Sequence, residues 1–182
     1  MVNMERYICL LRGINVVGKN LIRMAELRTT FERLGFGNVS TYLQSGNVLF
    51  ETGKTDKNHL EEMIASEIGK DFGFQVPVLL IKPDLLKEVV DQCPYIPQKE
   101  EDFSSIYLTF PFSPVQDFNL EKLLSKRLPG EEIEVRKQAV YLYCPGGYGK
   151  TKLSNTFLEY VLGVPCTTRN LRTATELLKT KW

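Results

Sequence analysis

TYLQSGNVLF, residues 41–50, sets two strand-like runs, 39–44 and 47–52, on either side of Ser45-Gly46, a dipeptide that signals a two-residue hairpin. Upstream of it, residues 5–13 read as a strand, and Met24, Leu27, Phe31 and Leu34 recur at helical spacing, with Gly35 and Gly37 placed to stop that helix. Downstream, Leu60, Ile64 and Ile68 mark a second helix, and residues 76–82 a last strand. The hairpin therefore sits inside the order βαββαβ.

The same order is written again further on. A helix over 85–90 and an acidic, Pro-containing stretch over 94–102 form a connector. Residues 105–110 are then a strand, and Leu120, Leu123 and Leu124 a helix with Asn119 as its cap. Residues 132–137 and 139–144 make a hairpin, Leu153, Phe157 and Val161 mark a helix, and 165–169 a strand. A final helix over 171–179 has Asn170 available as its cap. The class expected is α+β: two ferredoxin-like α-β plaits, each with an antiparallel sheet of order 4-1-3-2, plus a connecting helix and a C-terminal helix. The corresponding divisions are residues 1–83, a connector over 84–103, and 104–182. Pro77 and Pro165 fall at the same place in both units, at the fourth strand, which is an edge strand in this order and tolerates a missing N–H. The first strand is apolar on both faces over 7–11, so the outer face of the first sheet is expected to be covered.

Composition narrows the function. The apolar runs at 7–11 and 78–81 fall far short of the roughly 20 residues that a bilayer crossing requires, and Arg12 interrupts any signal-peptide core, so a cytoplasmic chain with no membrane partner is expected. Cys9, Cys93, Cys144 and Cys166 are scattered and His59 is the single histidine, which speaks against a disulfide framework and against a metal site. The net charge of +1 offers nothing to an indiscriminate polyanion binder. Its distribution is uneven: residues 1–40 carry +3, residues 41–134 carry −8 and residues 135–182 carry +6. That pattern suits a defined anionic ligand at the basic ends, or a chance arrangement of solvated surface charge.

Two motifs collect the polar and basic residues. LRGINVVGKN, residues 11–20, leaves the first strand with Arg12, Asn15, Lys19 and Asn20; in a plait it shares a sheet end with Gln44, Ser45 and Asn47. Glycines there admit close backbone approach, cations supply charge, and amides read donors and acceptors, as a phosphate or carboxylate site needs. The alternative is that the glycines serve turns and the Asn side chains bond their own loops. CPGGYGKTKLSN, residues 144–155 and ending at the candidate Asn155, puts Lys150 and Lys152 in a glycine-rich turn just before a helix, and Thr168, Arg169 and Asn170 end a strand at the same sheet end. It is not a P-loop, because G-x-x-x-x-G-K-[ST] needs glycine at 144, where Cys144 stands, and that motif belongs to a parallel sheet. Antiparallel stacking of the two units would bring both clusters onto one surface.

Tyr107, Tyr141 and Tyr143 raise RNA stacking, but the glycine-aromatic motif of RNA-binding plaits is absent, and packing between sheets is the better reading. Neither cluster holds a histidine or a carboxylate, so an enzyme stands third among the readings, with no reaction named and no cofactor expected. The function expected is binding of a small phosphorylated or nucleotide-like anion, or of a nucleic-acid backbone or end; the alternative is a protein-interaction or assembly module without a small ligand.

LLRGINVVGKN followed by MAELR, then TYLQSGNVLF, YGKTKLSN and GVPCTTRN, resembles a bacterial family of unknown function, number sixteen-ninety-seven in the DUF series. The likeness spans nearly the whole chain. It implies a pair of α-β plaits and no activity, and it differs in having Val17 where the family's INVGGKN has its first glycine.

Overall fold

The computed structural model describes residues 4–54, 56–96 and 100–180, so that residues 97–99 of the expected connector lie outside it. The chain divides into two units between Leu85 and Leu86. The first contains β1 (Glu5–Leu11), α1 (Met24–Arg33), β2 (Gly37–Tyr42), β3 (Asn47–Thr52), α2 (Lys57–Phe72) and β4 (Val78–Ile81). The division falls inside α3 (Pro83–Asp91). The second unit holds a 3₁₀ segment (Glu100–Ser105), β5 (Ile106–Pro111), α4 (Leu120–Leu124), β6 (Glu132–Val135), β7 (Val140–Tyr143), α5 (Asn155–Leu162), β8 (Cys166–Asn170) and α6 (Leu171–Lys179).

Each unit has one four-stranded sheet whose neighbours are all antiparallel. The orders are β2-β3-β1-β4 and β6-β7-β5-β8; counted from the β4 or β8 edge, both run fourth, first, third, second. In the first unit, Tyr7, Cys9 and Leu11 of β1 and Val48 and Phe50 of β3 turn to one side, where Leu27 and Phe31 of α1 and Leu60, Ile64 and Ile68 of α2 close a core. The rings of Phe31 and Phe36 lie 5.5 and 4.4 Å from Phe50, adding edge and stacking contacts to the apolar burial. On the other side of the sheet Ile8 and Leu10 of β1, Leu49 of β3 and Leu79 of β4 are buried too, as the doubly apolar β1 demands. Asp56 caps the start of α2 by accepting from the His59 N–H, and Gly73, at φ +78°, ends it.

In the second unit Val140, Leu142, Cys144 and Cys166 pack with Leu123, Leu158 and Leu162. The sheet's other side carries Leu108, Phe110 and Tyr141, all buried, and α6 lies on β5 and β8 with Leu171, Ala174 and Leu177 inward. Asn119 and Asn170 cap α4 and α6 with their side chains.

Three features differ from the sequence reading. The connection between β2 and β3 has four residues, 43–46, not two, because the Asn47 amide reaches back to Tyr42 O at 2.7 Å and Leu43 takes φ +58°. Pro77 and Pro165 stand one residue before the edge strands β4 and β8, not within them; their carbonyls accept from Arg12 N (3.1 Å) and Phe112 N (2.8 Å), extending both ladders where a proline needs only to accept. Residues 86–96 belong to the second unit: Tyr141 donates its hydroxyl to Val89 O at 2.9 Å, and Arg136 donates to Gln92 O at 2.6 Å.

Candidate functional site

At the end of the first sheet the loop after β1 and the 43–46 turn meet, as their places in the order imply. Leu11 N donates to Gly46 O (2.9 Å), and Asn15 joins the two segments. Its amide donates to Gln44 O (2.8 Å) and Ile22 O (3.0 Å), while its carbonyl accepts from Ile22 N (2.9 Å). The Asn20 amide donates to Gly13 O (3.0 Å), and the Asn47 amide, fully buried, to Tyr42 O and Ser45 Oγ. All three Asn side chains are therefore bonded to groups of these two loops, Asn15 to both. Asn15, Val17, Gly18 and Asn20 have φ of +52°, +49°, +73° and +51°, and Lys19 N closes the turn onto Val16 O at 3.0 Å. Two consecutive left-handed residues make this a tight turn of the mirror-image kind, in which a β-branched Val17 is costly. Arg12 is half-buried; Lys19, Gln44 and Ser45 are exposed.

In the second unit, Cys144 N donates to Ser105 O, and Gly147 N and Lys150 N turn back onto Cys144 O and Gly147 O. Thr151 Oγ1 accepts from Leu153 N, and Ser154 caps α5 through Phe157 N. Behind this loop Asn155 Oδ1 accepts from the Thr168 hydroxyl at 2.6 Å and from the Tyr148 hydroxyl at 3.3 Å, and Thr168 shares a 2.7 Å bond with Thr109. Asn155 and Thr168 are thus brought together as a half-buried brace beneath the turn. Burial pushes the Tyr148 phenol up, so it stays a neutral donor.

The strand residues expected beside them separate. Arg169 lies on the opposite face of β8 from Thr168, since successive strand residues alternate; it is only 6% exposed and donates to Thr167 Oγ1 and Thr168 O, both at 2.9 Å. Asn170 caps α6 and donates to Ser104 O. Lys150 and Lys152 are exposed, and neither side chain has a hydrogen bond or ion pair among the described residues.

The tyrosines do not form a stacking platform. In the β5–β7 register Tyr107 faces Leu142, and Leu108 faces Tyr141, which puts Tyr107 and Tyr141 on opposite faces; Tyr107 packs on Tyr148 at 5.1 Å. The cysteines are buried and free, and burial pushes the Cys144 thiol up to about 11, leaving it protonated and a poor nucleophile at neutral pH. No group of three metal-ligating side chains occurs among the described residues. One polar cluster had no signal in sequence spacing: Thr30 and Arg33 of α1 hold Asp71 of α2 at 2.5 and 2.6 Å, keeping its carboxyl below the usual range, with Glu67 also on Arg33. Its groups satisfy one another, as a helix-to-helix brace does.

The family described as protein of unknown function (DUF1697) matches residues 4–141. No curated protein matches the chain. Among solved structures the chain is similar to the conserved bacterial protein SP0830 from Streptococcus pneumoniae, with 24% identity over 97% of this chain and 98% of that one and a TM-score of 0.68, a likeness of fold.

Proposed function

This chain belongs to the DUF1697 family of proteins of unknown function, and we propose, from its own side chains, that it is a binding protein for a small phosphorylated anion, held at the 145–154 turn of the second unit. The observation that carries this reading is the uncompensated charge there. Lys150 and Lys152 are exposed and unpaired among the described residues, they precede the N-terminus of α5, and residues 144–158 contain no carboxylate. Two cations beside the positive end of a helix repel one another until an anion joins them. A nucleotide or the phosphate end of a nucleic acid presents the same chemistry. The first loop cluster ranks second as an anion site, because its amides are already bonded within the loops.

Four buried free cysteines fit a cytoplasmic setting. We read the two units as a duplicated pair of ferredoxin-like plaits, on their matching strand orders and on the matching bonds to Pro77 O and Pro165 O.

A thermal-shift titration with inorganic phosphate and then nucleotides tests the site. Tm should rise with ligand, less so in added salt, and the Lys150→Ala/Lys152→Ala pair should weaken apparent affinity about tenfold or more, the effect of losing roughly 1.4 kcal/mol. No shift with any anion, or the same shift in the double variant, would defeat this reading. The second reading, an interaction module, is favoured by Leu120, Leu124 and Tyr160, exposed on α4 and α5. Specific self-association without any small-molecule shift would support it instead.

A further inference from the structure

The loop cluster of the first unit carries a feature unrelated to its hydrogen bonds. Val16, Val17, Leu21 and Leu43 are 55%, 94%, 67% and 52% exposed. Asn15 gathers them: Val16 follows it, Leu21 lies between Asn20 and Ile22, to which it bonds through N–H and side chain, and Leu43 precedes Gln44, which its amide holds at 2.8 Å. Val17 is at the apex of the Val16–Lys19 turn, where it touches almost nothing of its own chain while its backbone is held at φ +49°.

The two loops themselves carry charges of one sign. Residues 11–24 contribute Arg12, Lys19 and Arg23 and no carboxylate, and residues 37–50 contribute no charged group at all. Arg23 lies 3.7 Å from Glu26 of α1, and the Lys19 side chain is exposed without a partner among the described residues. The result is a projecting aliphatic tip with a cationic rim, on a chain whose net charge is only +1.

A tip is covered by something that closes around it, and a cationic rim selects a negatively charged one. An anionic bilayer meets both conditions: headgroups attract Lys and Arg at the surface, and aliphatic side chains enter the acyl boundary beneath. A loop already fixed by Asn15 and Asn20 loses little conformational freedom on docking. We propose that this end of the first unit is a docking surface for anionic lipid. The attachment is peripheral: no helix among the described residues is long and apolar enough to cross a membrane. The sequence-based expectation of no membrane partner rests on spanning segments, and this mode needs none.

The test is sedimentation of the whole chain with phosphatidylcholine vesicles, with and without phosphatidylserine. Binding is expected with phosphatidylserine, decreasing as salt is added. The Val17→Asn/Leu43→Asn pair removes the aliphatic tip but suits the left-handed backbone at both positions, so it should keep or raise Tm while lowering binding about tenfold. Absence of binding to the anionic vesicles overturns the proposal, as does equal binding by the folded double variant, which reduces the contact to charge alone. Loss of a soluble protein partner by that variant, with vesicles ignored throughout, makes the surface a protein interface and equally overturns it.

Discussion

Gly46→Ala is expected to be severely destabilising, although the residue lies in a turn and the change adds one methyl group. Gly46 has φ +78°, and a Cβ there would stand 2.7 Å from Ile14 Cδ1 and 2.8 Å from Leu11 Cβ. The left-handed backbone costs an L-residue about 1–2 kcal/mol. Overpacking adds about 1–3 kcal/mol more, because Leu11 Cβ is fixed to β1, whose ladder cannot move without disturbing both neighbours. The total of about 2–5 kcal/mol should lower Tm by about 5–15 °C in a chain of this size. Gly18→Ala supplies the comparison: φ is +73° there, but nothing lies within 4 Å of the added carbon, so only the backbone cost applies. Denaturant unfolding of the two variants with unchanged m-values measures the difference. If Gly46→Ala proves no worse than Gly18→Ala, the close approach of Ile14 and Leu11 to this turn is wrong.

What the sequence discloses, and what it hides, follows from the range of the interactions involved. β3 over Asn47–Thr52 and α6 over Leu171–Lys179 are found at their expected bounds, because apolar spacing and the Asn170 cap act within a few residues of where they are written. The neighbouring β2 is displaced toward Gly37–Tyr42. Its end is set by Leu43 at φ +58° and by the Asn47 amide closing on Tyr42 O, and no propensity marks a leucine for that conformation.

The site residues divide in the same way. That residues 44–47 approach the loop after β1 could be read from element order, and the Asn15–Gln44 bond shows it. Whether an amide at such a meeting faces a ligand or its own backbone cannot be read, since the same donor and acceptor pair serves either. Arg169 is different. Strand alternation already separates it from Thr168, so the sign that it would not join Thr168 and Asn155 was present in the sequence. The register that sets Leu108 opposite Tyr141, and so parts Tyr107 from Tyr141, depends on pairing across 33 residues and has no local mark.

Asn15→Ala separates a structural role for this amide from a ligand-binding one. A ligand contact would leave folding intact when removed. The observed bonds forecast the contrary: Ile22, 2% exposed, loses the acceptor for its N–H, and Ile22 O and Gln44 O lose their donor. An unsatisfied buried N–H alone costs about 1–3 kcal/mol. Alanine is also less at ease than asparagine at φ +52°, which brings the expected loss to about 2–4 kcal/mol. Asn15→Gly removes the same bonds without the backbone penalty and should be the milder change by about 1 kcal/mol. Asn15→Asp keeps the acceptor for Ile22 N but sets carboxylate oxygen against both carbonyls, so it should resemble alanine rather than restore the native state. Amide exchange gives the local measurement: in Asn15→Ala, exchange at Ile22 N–H should quicken well beyond that at the β1 amides paired with β4, whose bonds are untouched. Native stability and unchanged Ile22 exchange in Asn15→Ala would mean that the loop is held by other contacts, and the amide would then be open to a ligand.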